Sequence, residues 1–480
     1  MRTGYSFLIA AMLFCYMAFS QGFTVVQSGP DLNVTRYGHA AVNLPNGNVL
    51  VIGGHTTGFY TTATAEIYNP STNDWTLYNI SNPHDMLAMV KLSTGDFMFM
   101  GGCSSGYGVG QSTVTTIYNP TTNTFTNGPA MLTARTNSTA IRLQNGNVLV
   151  VGNWYNTGNA ELFDVGLNQF VTVGLPPTER SMPLLLPADD GTAFIVGGYT
   201  NYGGTAFTSV EKYDPTTNSI TAFSSEIIPS ESGWTTIWTA SMPLIEETRL
   251  SNGNYVFLLF KTISSTSYYR LGQFNPTTKE FSLLEINPPL PDYTGAASDY
   301  AHSISLMVDP VNDYIYLNSV KTGALHEERI YTIDAADGIL SVPTGDNAFP
   351  YYVYTGSKVW VNGNIMYTGG TIDGSNFTVT NGVKILSPTN TFGQFEILPT
   401  NSNLKVYPNP AGDNGFTVEL PNNYCTAIIL YDLAGKAVQR VDVHDNETIA
   451  TIQRGNLPPG VYILEVEHRS GNNRTRIILQ

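Results

Sequence analysis

The chain has 480 residues, only 12% of them charged, and a formal net charge of -15. That acidity excludes a nucleic-acid partner, which would need a basic face to replace phosphate counterions. Gly, Thr, Ser, Asn and Tyr are abundant and no long amphipathic helical period appears, so the chain reads as all-β, many short strands joined by polar turns.

At the N-terminus, Arg2 precedes an apolar run from Phe7 to Phe19 with small residues at Ala18 and Ser20. Residues 1–20 therefore read as a secretory signal peptide cut before Gln21, too short for a membrane span. Cys15 follows Phe14 and not a small residue, which argues against a lipid-anchored cysteine. Once this leader is removed only Cys103 and Cys425 remain, too few for a disulfide framework.

From 21 to 399 one pattern repeats. Hairpin-turn positions recur at Gly47, Gly95, Gly146, Gly191, Gly253, Asn312-Asp313 and Gly363, each between two short apolar strands such as NVLVIGG or DFMFMGG. Residues that tolerate positive φ fix the turn and hence the strand register. A second marker closes each unit, as in YNPSTNDW, YNPTTNTF and YDPTTNSI, where Pro and Asn set the turn between third and fourth strands. Four short strands per unit, spaced by about 45 to 62 residues, is the arithmetic of a propeller blade.

These motifs resemble kelch repeats over Phe23 to Leu398. The pairs Gly53-Gly54, Gly101-Gly102, Gly197-Gly198 and Gly369-Gly370 end second strands, and Tyr68, Tyr118, Tyr213, Trp75 and Phe125 stand at the aromatic positions. The resemblance implies a seven-bladed kelch-type β-propeller, with six blades as the alternative. In units five and six Leu259-Phe260 and Asn318-Ser319 replace the glycine pair, so local geometry there is expected to differ. The strand Phe23 to Val26 is expected to complete the seventh blade, with Phe392 to Leu398 competing for the same place.

Residues 400–480 change pattern to a small C-terminal β-sandwich. Tyr407-Pro408-Asn409-Pro410, Tyr431-Asp432 with Gly435-Lys436, and Gly460-Val461-Tyr462 resemble the C-terminal sorting domain of type IX secretion substrates in Bacteroidetes-type bacteria. The resemblance implies a secreted or cell-surface protein exported by the type IX machinery as partner.

Tight turns occupy one propeller face, so the long loops share the other, which becomes the expected binding site for a glycan or extracellular protein. Tyr60, Tyr107, Trp154, Tyr155, Tyr199, Tyr202, Trp234 and Trp238 are the aromatic candidates, with Tyr300 beside them. Arg36, His84, Arg135, Arg180 and His302 share one register, eleven residues before each turn marker, and with His39 could form an anion site. Glu66, Glu161 and Glu211 occur in the same units as the three arginines, which favours structural Arg-Glu pairs instead. A carbohydrate-active enzyme on the same face is the alternative function. For a copper-radical oxidase the residue types His39, His302, Cys103 and Tyr107 are present, but the two histidines differ in register. No metal or cofactor is expected.

Overall fold

The computed structural model describes residues 22–479 except 106–108, 155–159, 174–177, 201–203, 237–242, 264–265, 287–292, 295–304, 310–311, 322–326, 336–337, 339, 342–355, 362, 372–377, 390–405, 413–414, 421–424, 432–436, 444–447, 456, 459 and 469–472. The proposed leader and the competing strand Phe392 to Leu398 fall outside the described residues. The chain divides into two compact units, 1–388 and 389–480.

Among the described residues the first unit holds seven four-stranded sheets, one for each turn marker of the sequence. In the first sheet, Ala40–Asn43, Val49–Ile52, Thr64–Asn69 and Asp74–Asn79 pair antiparallel in chain order. The turn markers take the backbone that their residues favour, with Gly47 at φ 83° and Asp313 at φ 57°. The second marker has its own lock: the hydroxyls of Tyr68, Tyr118 and Tyr213 donate to Asn73, Asn123 and Asn218 at 2.9, 3.0 and 3.1 Å. Those three asparagines all sit at positive φ.

Each of the first four sheets contains a buried node built from the basic register. Arg36, Arg135 and Arg180 donate through Nη1 to the carbonyls of Gly53, Gly152 and Gly197 at 2.6, 2.9 and 2.8 Å. Their Nη2 atoms meet Glu66, Glu161 and Glu211 at 2.6, 2.8 and 3.4 Å. The glutamates also accept from backbone N–H groups of the loop leading into the inner strand, Asn33 and Val34 in the first sheet, Leu132 and Thr133 in the third. His84 plays the same part in the second sheet: Nδ1 donates to Gly101 O at 2.7 Å and Nε2 lies 2.7 Å from the Thr116 hydroxyl. Burial lowers the pKa of His84, so the ring is neutral and its Nε2 accepts from Thr116.

The backbone carbonyls of the same residues join sheet to sheet. Gly54, Gly102 and Asn153 donate N–H to the carbonyls of His84, Arg135 and Arg180 in the following sheet at 2.6, 2.8 and 3.1 Å. Gly198 donates to Thr236 O at 2.7 Å, and Gly370 in the last sheet donates to Arg36 O at 2.7 Å, which returns to the first. Ser357 Oγ donates to His39 O at 2.5 Å across the same junction. The N-terminal strand Gly22–Ser28 is the outer strand of the last sheet, next to Val383–Thr389, so the two ends of the ring lie in one sheet as expected.

The fifth sheet departs from the pattern. Its strands are Tyr255–Ile263, Thr266–Asn275, Glu280–Leu284 and the short Tyr293–Thr294. At the inner position before the Gly253 turn stands a 3-10 turn, Ile245–Thr248. Leu244 packs with Ala40, Val42, Leu87 and Met89 of the first two inner strands. Glu246 faces one cavity shared with residues of the second, third and fourth inner strands and another of about 240 Å³ with Asn43, Met307 and Trp360. This segment therefore reaches the centre of the ring.

In the second unit, Val406–Gly412 pairs with both Gly415–Glu419 and Asn473–Leu479, joining a three-stranded layer to a larger one. Phe416, Val418 and Ile452 from the first layer share one core with Leu430, Leu464 and Ile477 from the second, the facing layers of a sandwich.

Replacing Arg135 by Met leaves Glu161 buried without its cation and is expected to lower the unfolding free energy by about 3 kcal/mol in urea titrations. A loss under about 1 kcal/mol would show that the node is dispensable. Gly53 and Gly47 both have positive φ, but a Cβ at Gly53 would lie 2.2 Å from His84 O, whereas nothing lies within 4 Å of one at Gly47. Gly47→Ala is expected to cost about 1 kcal/mol of backbone strain, and Gly53→Ala clearly more. Equal losses would mean that the sheet junction yields.

Candidate functional site

The loops that follow each second strand meet the loops that lead into each inner strand on one face of the propeller. Tyr37 and His55 pair through both backbone groups, with N···O distances of 3.0 and 2.8 Å. The loop from Thr56 to Tyr60 then closes on itself, Tyr60 O accepting from Thr56 N at 2.8 Å and from its hydroxyl at 3.2 Å. Gly58 and Phe59 take positive φ within it. This tight loop holds Tyr60 outward, 71% exposed.

The other described candidates lie deeper. Trp154, Tyr199 and Trp234 are all buried. Trp154 and Tyr199 stand just past the strand-ending glycine positions, and Tyr199 packs near Phe260 with centroids 6.1 Å apart. Trp234 is covered by Lys261, whose Nζ lies 4.9 Å from its ring centroid. Trp154 and Tyr199 follow strand ends bonded to neighbouring sheets, Trp154 N–H donating to Thr136 O and Tyr199 N–H to Ser181 O, each at 3.0 Å. Tyr107, Tyr155, Tyr202, Trp238, Tyr300 and His302 lie outside the described residues.

Arg36, Arg135 and Arg180, candidates for an anion site, are buried in the nodes with their guanidinium groups directed at carbonyls and glutamates. The geometry is that of the paired alternative. Burial lowers the pKa of each, and the adjacent glutamate opposes that fall. His39 is also buried. Its Nε2 lies 2.9 Å from Thr368 Oγ1, whose own proton goes to Ser357 O at 3.2 Å, so Nε2 carries the imidazole proton. Burial, reinforced by the Arg36 charge, holds the His39 pKa well below 6.5. The ring is thus neutral and bridges the last sheet to the first.

At the base of the same face three donors converge that sequence spacing does not bring together. His55 Nε2 lies 2.9 Å from Asp85 Oδ2, and both side chains are fully buried. The Cys103 thiol donates to the same Oδ2 at 2.9 Å and its Sγ is 4.0 Å from His55 Nε2. Asp85 Oδ1 accepts from the Cys103 backbone N–H, and Cys103 O accepts from the Thr61 hydroxyl at 2.8 Å. Tyr37 stacks on His55 with centroids 5.1 Å apart and planes 27° from parallel. Among the described residues this is the group of His, Cys, Asp and Glu side chains that gathers ligand atoms, all within 4.8 Å of one another. His55 and Cys103 hold the same register, directly after the glycine pairs of adjacent sheets, and Asp85 follows the node residue His84. That shared register is the signal a reading of single repeats passes over.

The central cavity adds a perturbed carboxyl. Glu246 is exposed and Glu247 half-buried, yet desolvation by the cavity walls, with the Glu246 charge beside it, pushes the Glu247 pKa up to about 7. Lys91 acts on both carboxylates and Arg142 on Glu246, each lowering the pKa against that trend.

In the tail, Tyr407 is half exposed and Tyr462 is buried with its hydroxyl donating to Pro458 O at 2.8 Å. Pro408, Asn409 and Pro410 lie in the strand Val406–Gly412, and Gly460 begins the strand Gly460–His468. Asp432 and Gly435 lie outside the described residues.

Residues 405–480 match the family described as the secretion system C-terminal sorting domain, and residues 186–219 match the kelch motif. An F-box/kelch-repeat protein of Arabidopsis thaliana is 28% identical over 149 residues, covering 30% of this chain and 37% of that protein. The chain thus spans little more than a third of the length of that curated relative. Among solved structures, a fungal alcohol oxidase of the AA5 family in complex with copper superposes with a TM-score of 0.56 at 14% identity, covering 95% of this chain and 100% of that one. A likeness at that identity concerns the fold alone. No helix among the described residues is long and apolar enough to cross a membrane. Residues 186–219 thus carry a kelch motif within an all-β fold of four-stranded sheets, and residues 405–480 a secretion system C-terminal sorting domain, which indicates type IX export to the cell surface or beyond.

Proposed function

We propose that the exported propeller is a recognition module whose loop-rich face binds a glycan or an extracellular protein. The observation that carries this reading is the asymmetry of the two faces. One face holds tight hairpin turns, whereas on the other the loop from Thr56 to Tyr60 closes on itself and presents Tyr60 to solvent. An aromatic ring held outward by a rigid loop gives contact area at small entropy cost and stacks on sugar or peptide planes. Removal of a secretory leader before type IX export of the mature chain belongs to the same reading, as does an origin in a Bacteroidetes-type bacterium.

A hydrolytic reading draws on one different observation. A carboxyl whose pKa is about 7, as at Glu247, holds its proton where a general acid must act. It faces a cavity of about 240 Å³ lined by Asn43, Met307, Val308 and Trp360.

A glycan array and an extracellular-protein display probed with the full chain test the first reading. Tyr60→Ala is expected to weaken the binding found by about tenfold or more while leaving the melting temperature unchanged. Binding indifferent to Tyr60 would move the site off this loop, and product release from bound glycans that disappears in Glu247→Gln would favour the hydrolytic reading. Glu247 also predicts a pH dependence. Its folded pKa lies above the ordinary 4.5, so its contribution to stability is full below about 4.5 and is lost as pH rises to about 7. Glu247→Gln is expected to flatten the melting temperature across that window, and an unchanged profile would place the carboxyl in solvent.

A further inference from the structure

We propose that His55, Asp85 and Cys103 form a binding site for a borderline divalent transition metal ion, with Zn²⁺ the ion their chemistry fits. The three donors are an imidazole nitrogen, a carboxylate oxygen and a sulfur, the set that zinc accepts together and that calcium or magnesium does not. All three side chains are buried, so the hydrogen bonds among them are screened from water.

The spacing suits one ion. Zinc bonds of roughly 2.0 to 2.3 Å at tetrahedral angles place ligand atoms roughly 3.4 to 3.6 Å apart. The three separations here are 2.9, 2.9 and 4.0 Å, with Asp85 Oδ2 between the other two. Moving the Asp85 carboxylate outward by about half an ångström and closing the His55–Cys103 gap by about the same amount converts this hydrogen-bonded triangle into three corners of a coordination tetrahedron. The fourth corner falls to a non-protein ligand.

When Zn²⁺ binds, the Sγ–H proton leaves to solvent and the sulfur coordinates as thiolate. Nε2 coordinates through its lone pair, the neutral ring carrying its one proton on Nδ1, and no atom changes oxidation state. Two positive charges then meet one carboxylate, one thiolate and one neutral imidazole, for a sum of zero in a buried site.

The backbone holds the donors before any ion arrives. His55 is pinned by its paired backbone bonds to Tyr37 and by the Tyr37 ring. Cys103 is pinned by Asp85 at its N–H and by Thr61 at its carbonyl. Gly102 N–H donates to Arg135 O in the next sheet, so the thiol cannot drift along its strand. A preset donor arrangement lowers the ordering cost of coordination.

The test uses the full chain carrying Cys15→Ser and Cys425→Ser, which leaves Cys103 as its only cysteine. After chelation and dialysis the protein is titrated with Zn²⁺ and, separately, with Co²⁺. The expected result is one bound ion per chain and, with Co²⁺, an intense near-ultraviolet thiolate-to-metal charge-transfer band. Introducing Asp85→Asn into the same protein should weaken Zn²⁺ at least about tenfold, with circular dichroism confirming the fold. A folded chain that binds no ion, or binds Co²⁺ without the thiolate band, would overturn the assignment and leave the triad as hydrogen-bonded packing. Because the band needs no variant at the site, misfolding of Asp85→Asn leaves the test intact.

Discussion

The propeller depends on one repeated contact, a buried basic side chain whose nitrogen bonds the carbonyl of the glycine position ending the second strand of its own sheet. The backbone carbonyl of that same basic residue accepts an N–H from the preceding sheet. One residue therefore serves two joints, its side chain within a sheet and its main chain between sheets. Arg36 shows both at once, bonded to Gly53 O on one side and receiving Gly370 N–H on the other. The close approach also explains the first glycine of each pair, since a Cβ at Gly53, Gly101 or Gly369 would lie 2.2, 2.4 or 2.4 Å from the incoming carbonyl. Charge alone is not what the joint requires, because neutral His84 with Thr116 replaces Arg with Glu in the second sheet. What the joint requires is a buried donor of the right reach and an acceptor or hydroxyl to hold it.

Much of this was legible in the sequence because the constraints act locally. A turn that needs positive φ shows itself as Asn-Gly, and a strand with both faces buried shows itself as VLVI or FMFM. The co-occurrence of Arg and Glu in the same three units already pointed to pairs. The candidate site was less legible, for two physical reasons. The His55, Asp85 and Cys103 donors come from neighbouring units and read singly as loop residues, so only the ring geometry brings them together. Trp154, Tyr199 and Trp234 read as aromatic candidates on the loop-bearing face, and their burial depends on packing between sheets that no single repeat shows.

Closure of the ring sets a condition on folding. Gly22–Ser28 lies beside Val383–Thr389, and His39 and Arg36 contact Thr368 and Gly370 across the same seam. These contacts join residues more than three hundred positions apart. Within each sheet the pairing is between successive strands and can form locally, whereas the seam forms last and pays the loop-closure cost of the whole ring. Placing the N-terminal strand in the final sheet means that opening the seam would break a complete ladder of backbone bonds, not only side-chain packing.

The same architecture explains where chemical novelty can arise. The node residues and the glycine carbonyls are committed to holding the ring, but the residue directly after each of them sits on a fixed backbone with its side chain unconstrained by the node. After the basic residue stand Tyr37, Asp85, Thr136 and Ser181, and after the glycine pair, or Gly152-Asn153 in its place, stand His55, Cys103, Trp154 and Tyr199. Backbone bonds tie these two series together, as in Tyr37 with His55 and Ser181 with Tyr199. Side chains that differ from sheet to sheet are thus presented at repeated, rigid positions around one face. A stack forms where the neighbours are Tyr and His, and a three-donor cluster where His, Asp and Cys fall in adjacent units. The scaffold needs only the node, so selection can act on the neighbouring residue without loosening the ring.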